Sequence, residues 1–179
     1  LENTLIIISS DNGPVLNDGY YDDAVEKIGD HTPFGILRGG KYSLFEAGTK
    51  VPFIIHWKNK IEPQVSNEMV SQIDYLNSIS SLIGSEIRST DGVDLSDVFF
   101  KNKGLGRDDL VIEASRRTAY RSGDWVMIPP HKGPTIHYNV NIELGNSVDY
   151  QLYNLKEDPS QKNNLAESNT EKLQEMIES

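Results

Sequence analysis

Apolar and polar positions alternate in blocks along the chain, and the first block predicts a strand. Residues 4–9 form a continuous apolar run rich in isoleucine, which is typical of a strand buried on both faces of a parallel sheet. The run stops at the Asp-Asn-Gly-Pro turn sequence of residues 11–14. Residues 51–57 predict a second strand, with Pro52 near its start where a missing N–H is tolerated. The polar residues 15–35 between them predict a long loop.

From Asp74 onward the apolar residues take the spacing of a helix. Leu76, Ile79 and Ile83 fall on one face of that helix. Asp74 is predicted to be the N-cap, and Gly84 is predicted to follow the last helical residue in a left-handed conformation.

Beyond a polar, glycine-containing segment at residues 101–107, the pattern becomes that of an antiparallel sheet. Residues 110–114 and 150–155 are strand-like, and residues 118–128 predict a hairpin with a glycine in its turn. A helical pattern runs from Asn169 to the end of the chain.

These patterns predict an α/β fold with two parts. Residues 1–103 are expected to be part of an α/β layer structure, and residues 104–179 a small antiparallel α+β subdomain with a terminal helix. A buried parallel strand needs neighbours on both sides, and the chain begins at Leu1 without a methionine. We therefore expect this chain to be a piece of a longer protein.

Composition and charge narrow the classes of function. The 179 residues carry a net charge of -10, which argues against a nucleic-acid partner because such binding needs a basic patch. The chain has no cysteine, so disulfides and thiolate–zinc sites are excluded. No run approaches the roughly 18 apolar residues of a membrane span, and we expect none.

Asp11 and Asn12 are the first candidates for chemistry. They lie just past the end of the first predicted strand, where open α/β sheets place their ligands. A carboxylate beside an amide oxygen offers two hard donors that suit Ca²⁺ or Mg²⁺. The same dipeptide also fits an Asx-turn, in which Asp11 bonds nearby backbone and Gly13 takes a positive φ. The dipeptide alone leaves both interpretations open.

A second candidate is the Gly39-Gly40-Lys41 segment. Two glycines allow the backbone to approach a ligand closely, and the lysine is a mobile charge that can meet an oxyanion. A surface loop with a solvated lysine is the alternative. His31 lies in the loop between the two candidates, where it is either a substrate contact or an exposed bystander. Glu46 is expected to form an ion pair with a structural role behind the loop of residues 37–41, which we call the Lys41 loop.

The ordered combination of these segments is more specific than its parts. The motifs, in chain order, are SDNGP at 10–14, LRGGK at 37–41, FEAG at 45–48, VPFI at 51–54, QID at 72–74, DGVDL at 91–95, YRSGDW at 120–125, YNLKEDP at 153–159 and NLA at 164–166. This set resembles the sulfatase family across nearly the whole chain. The resemblance implies the C-terminal part of an alkaline-phosphatase-like sandwich, together with a small antiparallel sheet and a terminal helix.

The resemblance also implies roles for individual residues. Asp11 and Asn12 match a pair of calcium ligands, and Lys41 matches the catalytic lysine that contacts the sulfate. In such enzymes the nucleophile is a formylglycine made from a Cys or Ser in an upstream motif. This chain has no cysteine and does not show the serine form of that motif. We therefore expect the chain alone to be inactive.

The resemblance thus implies part of a sulfate-ester hydrolase that acts on sulfated carbohydrate and is periplasmic or secreted. Two alternatives remain. A phosphatase or phosphodiesterase of the same superfamily commonly uses two zinc ions with several His ligands, and few His lie near Asp11. In a non-catalytic binding module, Asp11 and Lys41 would be ordinary loop residues. Self-association through an exposed sheet edge is a further expectation.

Overall fold

A computed structural model of the protein describes residues 2–86 and 91–179. The helical segments in chain order are α1 (Ala24–Lys27), α2 (Glu46–Thr49), a 3₁₀ turn (Gln72–Asp74), α3 (Tyr75–Ile83), α4 (Ser96–Lys101) and α5 (Thr170–Glu178). The strands are β1 (Leu5–Ile8), β2 (Ile54–Trp57), β3 (Asp109–Ala114), β4 (Arg117–Ser122), β5 (Trp125–Ile128), β6 (Ile136–His137), β7 (Ile142–Glu143) and β8 (Gln151–Asn154).

The chain forms two compact units that are discontinuous in sequence. They comprise Leu1–Ser9 with Phe53–Asp108, and Ser10–Pro52 with Asp109–Ser179. These units do not coincide with residues 1–103 and 104–179, because residues 10–52 group with the C-terminal sheet. The division at residue 103 stays a prediction about domains.

The first unit contains both strands that the apolar runs predict. β1 pairs with β2, and Leu5 lies opposite Trp57. The pairing is antiparallel, and Ile8 is 56% exposed, so the prediction of a parallel strand buried on both faces is wrong. An apolar run specifies a strand, whereas its direction depends on the partner with which it shares hydrogen bonds. Phe99 and Phe100 of α4 form the core of this unit.

α3 confirms the predicted helix and ends at Gly84, which has a φ of 69°. Its apolar residues point largely outward, since Leu76 is 56% and Ile83 is 71% exposed. The buried face instead carries Ser78, whose hydroxyl accepts the backbone N–H of Leu95 at 2.9 Å. α3 therefore buries small polar residues together with Ile79, which packs against the core of this unit, and leaves its other apolar residues largely exposed.

Asp74 is the N-cap residue of α3, as predicted, but its side chain makes no capping bond to that helix. Its carboxylate is fully buried and accepts the backbone N–H groups of Ser71 at 2.9 Å and Val93 at 3.0 Å. The Arg107 guanidinium completes the set, with Nη2 2.6 Å from Oδ1. A buried carboxylate with this many donors ties three separate stretches of chain together, and the loss of one partner would leave a charge unpaired.

The second unit is built on an antiparallel sheet in the order β3-β4-β5-β8. The predicted hairpin is confirmed, and its turn contains Gly123 at a φ of 54°. Met176 of α5 packs on one side of the sheet against Met127 and Leu152. The antiparallel sheet with a terminal helix is therefore confirmed. None of the helices within residues 2–86 and 91–179 is long and apolar enough to cross a membrane.

A second hydrophobic cluster joins this sheet to the segment that follows Lys41. Leu44 and Phe45, each 2% exposed, pack against Val126 and Ile128 of β5. The ring of Tyr153 meets that of Phe45 edge-on, with centroids 6.1 Å apart. Burial of these large side chains fixes where the Lys41 loop leaves the sheet, because packed interiors allow little displacement.

Candidate active site

The turn after β1 holds the predicted metal ligands. The carboxylate of Asp11 is exposed, and its Oδ1 accepts the backbone N–H of Asn12 at 3.0 Å. Asn12 Nδ2 donates to the Gly13 carbonyl at 2.9 Å. Within the described part of the chain, Asp11 Oδ2 and Asn12 Oδ1 accept no hydrogen bond. The bond of Asp11 reaches only the next residue and Gly13 does not take a positive φ, so the predicted Asx-turn is not formed. One oxygen of each side chain is still available for a cation.

Backbone hydrogen bonds join this turn to the Lys41 loop. The Gly13 N–H donates to the Gly48 carbonyl at 2.8 Å, and the Lys41 N–H donates to the Pro14 carbonyl at 3.0 Å. A Cβ at Gly13 would collide with the carbonyl oxygen of Ala47. Glycine is therefore required where the two segments meet. The structure brings the Asp11–Asn12 turn and the Lys41 backbone together without any side chain.

Lys41 forms an ion pair in this structure. Its Nζ lies 2.5 Å from Asp18 Oδ2, and the Tyr42 hydroxyl donates to Asp18 Oδ1 at 2.7 Å. The side chains of Lys41 and Asp18 are 26% and 24% exposed. The hydrogen bond from Lys41 lowers the pKa of Asp18, and the same bond raises the pKa of Lys41. Both groups are therefore charged at neutral pH.

Tyr42 adopts a backbone conformation that is unusual for a bulky residue. Its φ is +76°, and such strain typically costs about 1–3 kcal/mol. Two contacts hold it there. The buried Arg117 donates from Nη2 to the Tyr42 carbonyl at 2.6 Å, and the Tyr42 ring stacks on His137 at 5.0 Å. The sequence carries no signal for Asp18, Tyr42 or Arg117, because their contacts span distant stretches of chain.

His31 lies apart from these contacts. It is exposed, and its backbone N–H donates to the Ile28 carbonyl at 3.2 Å. Among residues 2–86 and 91–179, no hydrogen bond or ion pair of its imidazole joins it to Lys41 or Asp18. Its role as a substrate contact stays a prediction.

The predicted ion pair of Glu46 is confirmed. Glu46 is 4% exposed, and its carboxylate lies 3.4 Å from Arg121 Nη1 and 3.5 Å from Lys50 Nζ. Its backbone N–H donates to the side-chain oxygen of the fully buried Gln161 at 2.7 Å. These contacts hold the chain behind Lys41 against the C-terminal sheet.

The donor set fits calcium in kind and only partly in number. Asp11 and Asn12 offer hard oxygen ligands of the type that Ca²⁺ prefers, whereas Ca²⁺ takes 6–8 such ligands. Within residues 2–86 and 91–179, no group of three or more His, Cys, Asp or Glu is placed to hold a metal ion. Asp11 and Asn12 alone therefore do not complete the coordination that Ca²⁺ requires.

Comparison with known proteins decides the family. The family model described as Sulfatase matches residues 1–85. An N-acetylgalactosamine-6-O-sulfatase from Bacteroides thetaiotaomicron is 40% identical over 99% of this chain. The chain belongs to the sulfatase family. It spans 35% of the length of that bacterial sulfatase. Arylsulfatase A from Homo sapiens is 26% identical over 92% of the chain, which spans 34% of its length.

Solved sulfatase structures agree with the fold. A structure from work on the metabolism of multiple glycosaminoglycans by Bacteroides thetaiotaomicron matches 99% of this chain and 38% of its own, with a TM-score of 0.94 and 39% identity. A sulfatase from Pseudoalteromonas sp. matches 99% of this chain and 36% of its own, with a TM-score of 0.72 and 24% identity. The fold predicted from the sequence, part of a sulfatase with a small antiparallel sheet and a terminal helix, is confirmed.

Proposed function

We propose that the full-length protein is a sulfuric ester hydrolase acting on sulfated carbohydrate. This chain would supply the Asp11–Asn12 turn and Lys41 to its active site. The observation that carries the proposal is the hydrogen bond from the Lys41 N–H to the Pro14 carbonyl, which holds hard oxygen donors and an ammonium group in one compact unit. Membership of the sulfatase family and the similarity to an N-acetylgalactosamine-6-O-sulfatase support this choice.

Lys41 would stabilise the negative charge on the oxygens of the sulfate group. Sulfuryl transfer resembles phosphoryl transfer, in which positioning and electrostatic stabilisation supply most of the catalysis. An ammonium carries three N–H donors, and Asp18 engages it on one side. The remaining donors can meet oxygens of the transferring group. Packing of Leu44 and Phe45 on the sheet keeps the loop in place while they do so.

Asp11 and Asn12 would be two of the ligands of a calcium ion. When bound, such an ion polarises sulfate oxygens as a Lewis acid. The nucleophile, a formylglycine, would come from an upstream part of the protein, since this chain has no cysteine. The chain alone is therefore proposed to be inactive.

Two further expectations belong to the longer protein. Periplasmic or secreted localisation rests on the family resemblance. Self-association would use an edge of the two-stranded sheet of β1 and β2, in which Ile8 and Ile54 are 56% and 57% exposed. An exposed edge with an apolar side chain favours pairing with another strand.

The test is release of sulfate from N-acetylgalactosamine 6-sulfate by the full-length protein, with the 6-phosphate as the competing substrate. We expect hydrolysis of the sulfate and little of the phosphate. Asp11→Asn should raise the calcium concentration for half-maximal activity by about tenfold or more, because one charged ligand is lost.

Asp30→Asn is the matched control, because Asp30 is an exposed aspartate in the polar loop. It should leave the calcium requirement unchanged. Preferential hydrolysis of the phosphate would refute the sulfatase proposal. An unaltered calcium requirement in Asp11→Asn would refute the metal role alone.

A further inference from the structure

Asp18 has contacts that the proposed reaction does not use. One of its oxygens meets the Lys41 ammonium at 2.5 Å, and the other accepts the Tyr42 hydroxyl at 2.7 Å. Lys41 Nζ also lies 5.3 Å from the centroid of the Tyr42 ring. The Tyr42 side chain thus contacts both members of the Lys41–Asp18 ion pair, which is about three-quarters buried.

Tyr42 gives this arrangement a fixed support. Its backbone carbonyl accepts from Arg117, and its ring stacks on His137 at an angle of 20° between the planes. Arg117 is 6% exposed and donates from Nη1 to the Leu144 carbonyl and the Asn146 side chain, both at 2.7 Å. The hydroxyl that braces Asp18 is therefore attached to the sheet unit through buried bonds, which keep the strained backbone in place.

The ion pair weakens the electrostatic attraction between Lys41 and a bound anion. A carboxylate at hydrogen-bond distance cancels much of the field of an ammonium for a third charge that lies farther away. A sulfate ion would therefore meet a partly neutralised lysine. Tight binding of substrate and product in the ground state does not raise kcat. Partial neutralisation of Lys41 by Asp18 therefore favours release of the sulfate product over its retention.

We propose that Asp18 is a positioning residue that holds the Lys41 ammonium in one place and weakens the binding of free sulfate. The inference rests on the proposed function. Asp18 itself touches Lys41 and Tyr42 and need not contact the substrate.

The first test is the affinity of the full-length protein for inorganic sulfate, measured by direct calorimetric titration without turnover. Asp18→Asn should bind sulfate roughly three- to tenfold more tightly than wild type, because Lys41 loses its counter-charge. Asp30→Asn removes the same charge from an exposed position in the polar loop and should leave the affinity unchanged. Equal or weaker sulfate binding by Asp18→Asn, or no binding by either protein, would overturn the proposal.

The second test separates positioning from charge. Tyr42→Phe keeps the stacked ring and the Asp18 charge but removes the hydroxyl that supports the carboxylate. It should lower kcat roughly two- to fivefold, the size expected for one lost hydrogen bond, and leave sulfate affinity unchanged. A tenfold rise in KM for the sulfated sugar in Asp18→Asn, with sulfate affinity unaltered, would make Asp18 a substrate contact and refute its positioning role.

The two proposals can fail separately. If wild type releases no sulfate from any ester, the proposed hydrolase function fails. The Asp18 inference is tested by comparing the dissociation constants of sulfate for wild type and for Asp18→Asn. That measurement requires no hydrolysis.

Discussion

Asp74 and Asp18 each pair with a basic side chain, yet their surroundings differ in almost every respect. Asp74 is fully buried, and its partner Arg107 is 10% exposed. Two backbone N–H groups complete its hydrogen bonds. Asp18 is 24% exposed and pairs with a lysine that is 26% exposed. A planar guanidinium matches a carboxylate with two parallel bonds, whereas an ammonium is a point charge that can turn toward another anion. The first pair therefore suits a scaffold, and the second suits an ammonium that is held by Asp18 and still has donors free for another anion.

The largest effect is expected from breaking the buried pair. Arg107→Ala should lower the free energy of unfolding by about 3–5 kcal/mol, because Asp74 would be left buried without its cation. Urea unfolding followed by circular dichroism measures this. Lys103→Ala changes a nearby exposed lysine and should shift the free energy by less than about 0.5 kcal/mol. A loss below about 1 kcal/mol in Arg107→Ala would show that Asp74 does not depend on this partner.

The Lys41–Asp18 pair, whose side chains are about one-quarter exposed, should respond in activity and hardly in stability. Lys41→Ala is expected to lower kcat of the full-length protein by about 10²–10³, the range seen when one donor to a developing charge is removed. Its free energy of unfolding should change by at most about 1 kcal/mol. Lys132→Ala, at an exposed site of the same unit, serves as the control for kcat and for unfolding. Near-normal turnover in Lys41→Ala would remove it from the catalytic site.

The smallest effect is expected at a third, more open pair. Arg38 Nε lies 2.7 Å from Glu143 Oε2, with side chains 31% and 47% exposed. The hydrogen bond from Arg38 lowers the pKa of Glu143 from 4.5. The pair therefore stabilises the fold above pH 4.5, and this contribution disappears as the pH falls through the lower folded pKa. Glu143→Gln should cost about 0.2–1 kcal/mol at pH 7.

Urea unfolding at pH 7 and again well below pH 4 measures how the contribution of the Arg38–Glu143 pair to stability depends on pH. The difference between wild type and Glu143→Gln should shrink at the lower pH. Glu157→Gln, at an exposed glutamate, should show no such dependence. A difference that grows on acidification would contradict the assignment.

Local patterns in the sequence were sufficient for the elements whose form is decided locally. The hairpin around Gly123 and the helix that ends at Gly84 both follow from a glycine at a left-handed position. The direction of β1 does not follow from its own residues, because it is set by β2 about fifty positions away. The exposure of Leu76 and Ile83 on α3 has the same origin, since burial depends on what a helix packs against.

Some residues of the candidate site are likewise predicted by local motifs, whereas others are identified only by the fold. Lys41, Asp11 and Asn12 stand in short motifs whose order along the chain carries the signal. Asp18 lies among several acidic residues of a polar loop, and only the fold distinguishes it from Asp22 or Asp30. Tyr42 carries no mark of its strained backbone, which is maintained by Arg117, a residue 75 positions later.

The backbone bonds from Gly13 to Gly48 and from Lys41 to Pro14 involve no side chains. They would survive replacement of most of the residues between Pro14 and Lys41. For protein engineering, this makes the polar loop at 15–35 the place to exchange sequence without disturbing the backbone around Lys41. Asp18 is the exception that such loop libraries should keep.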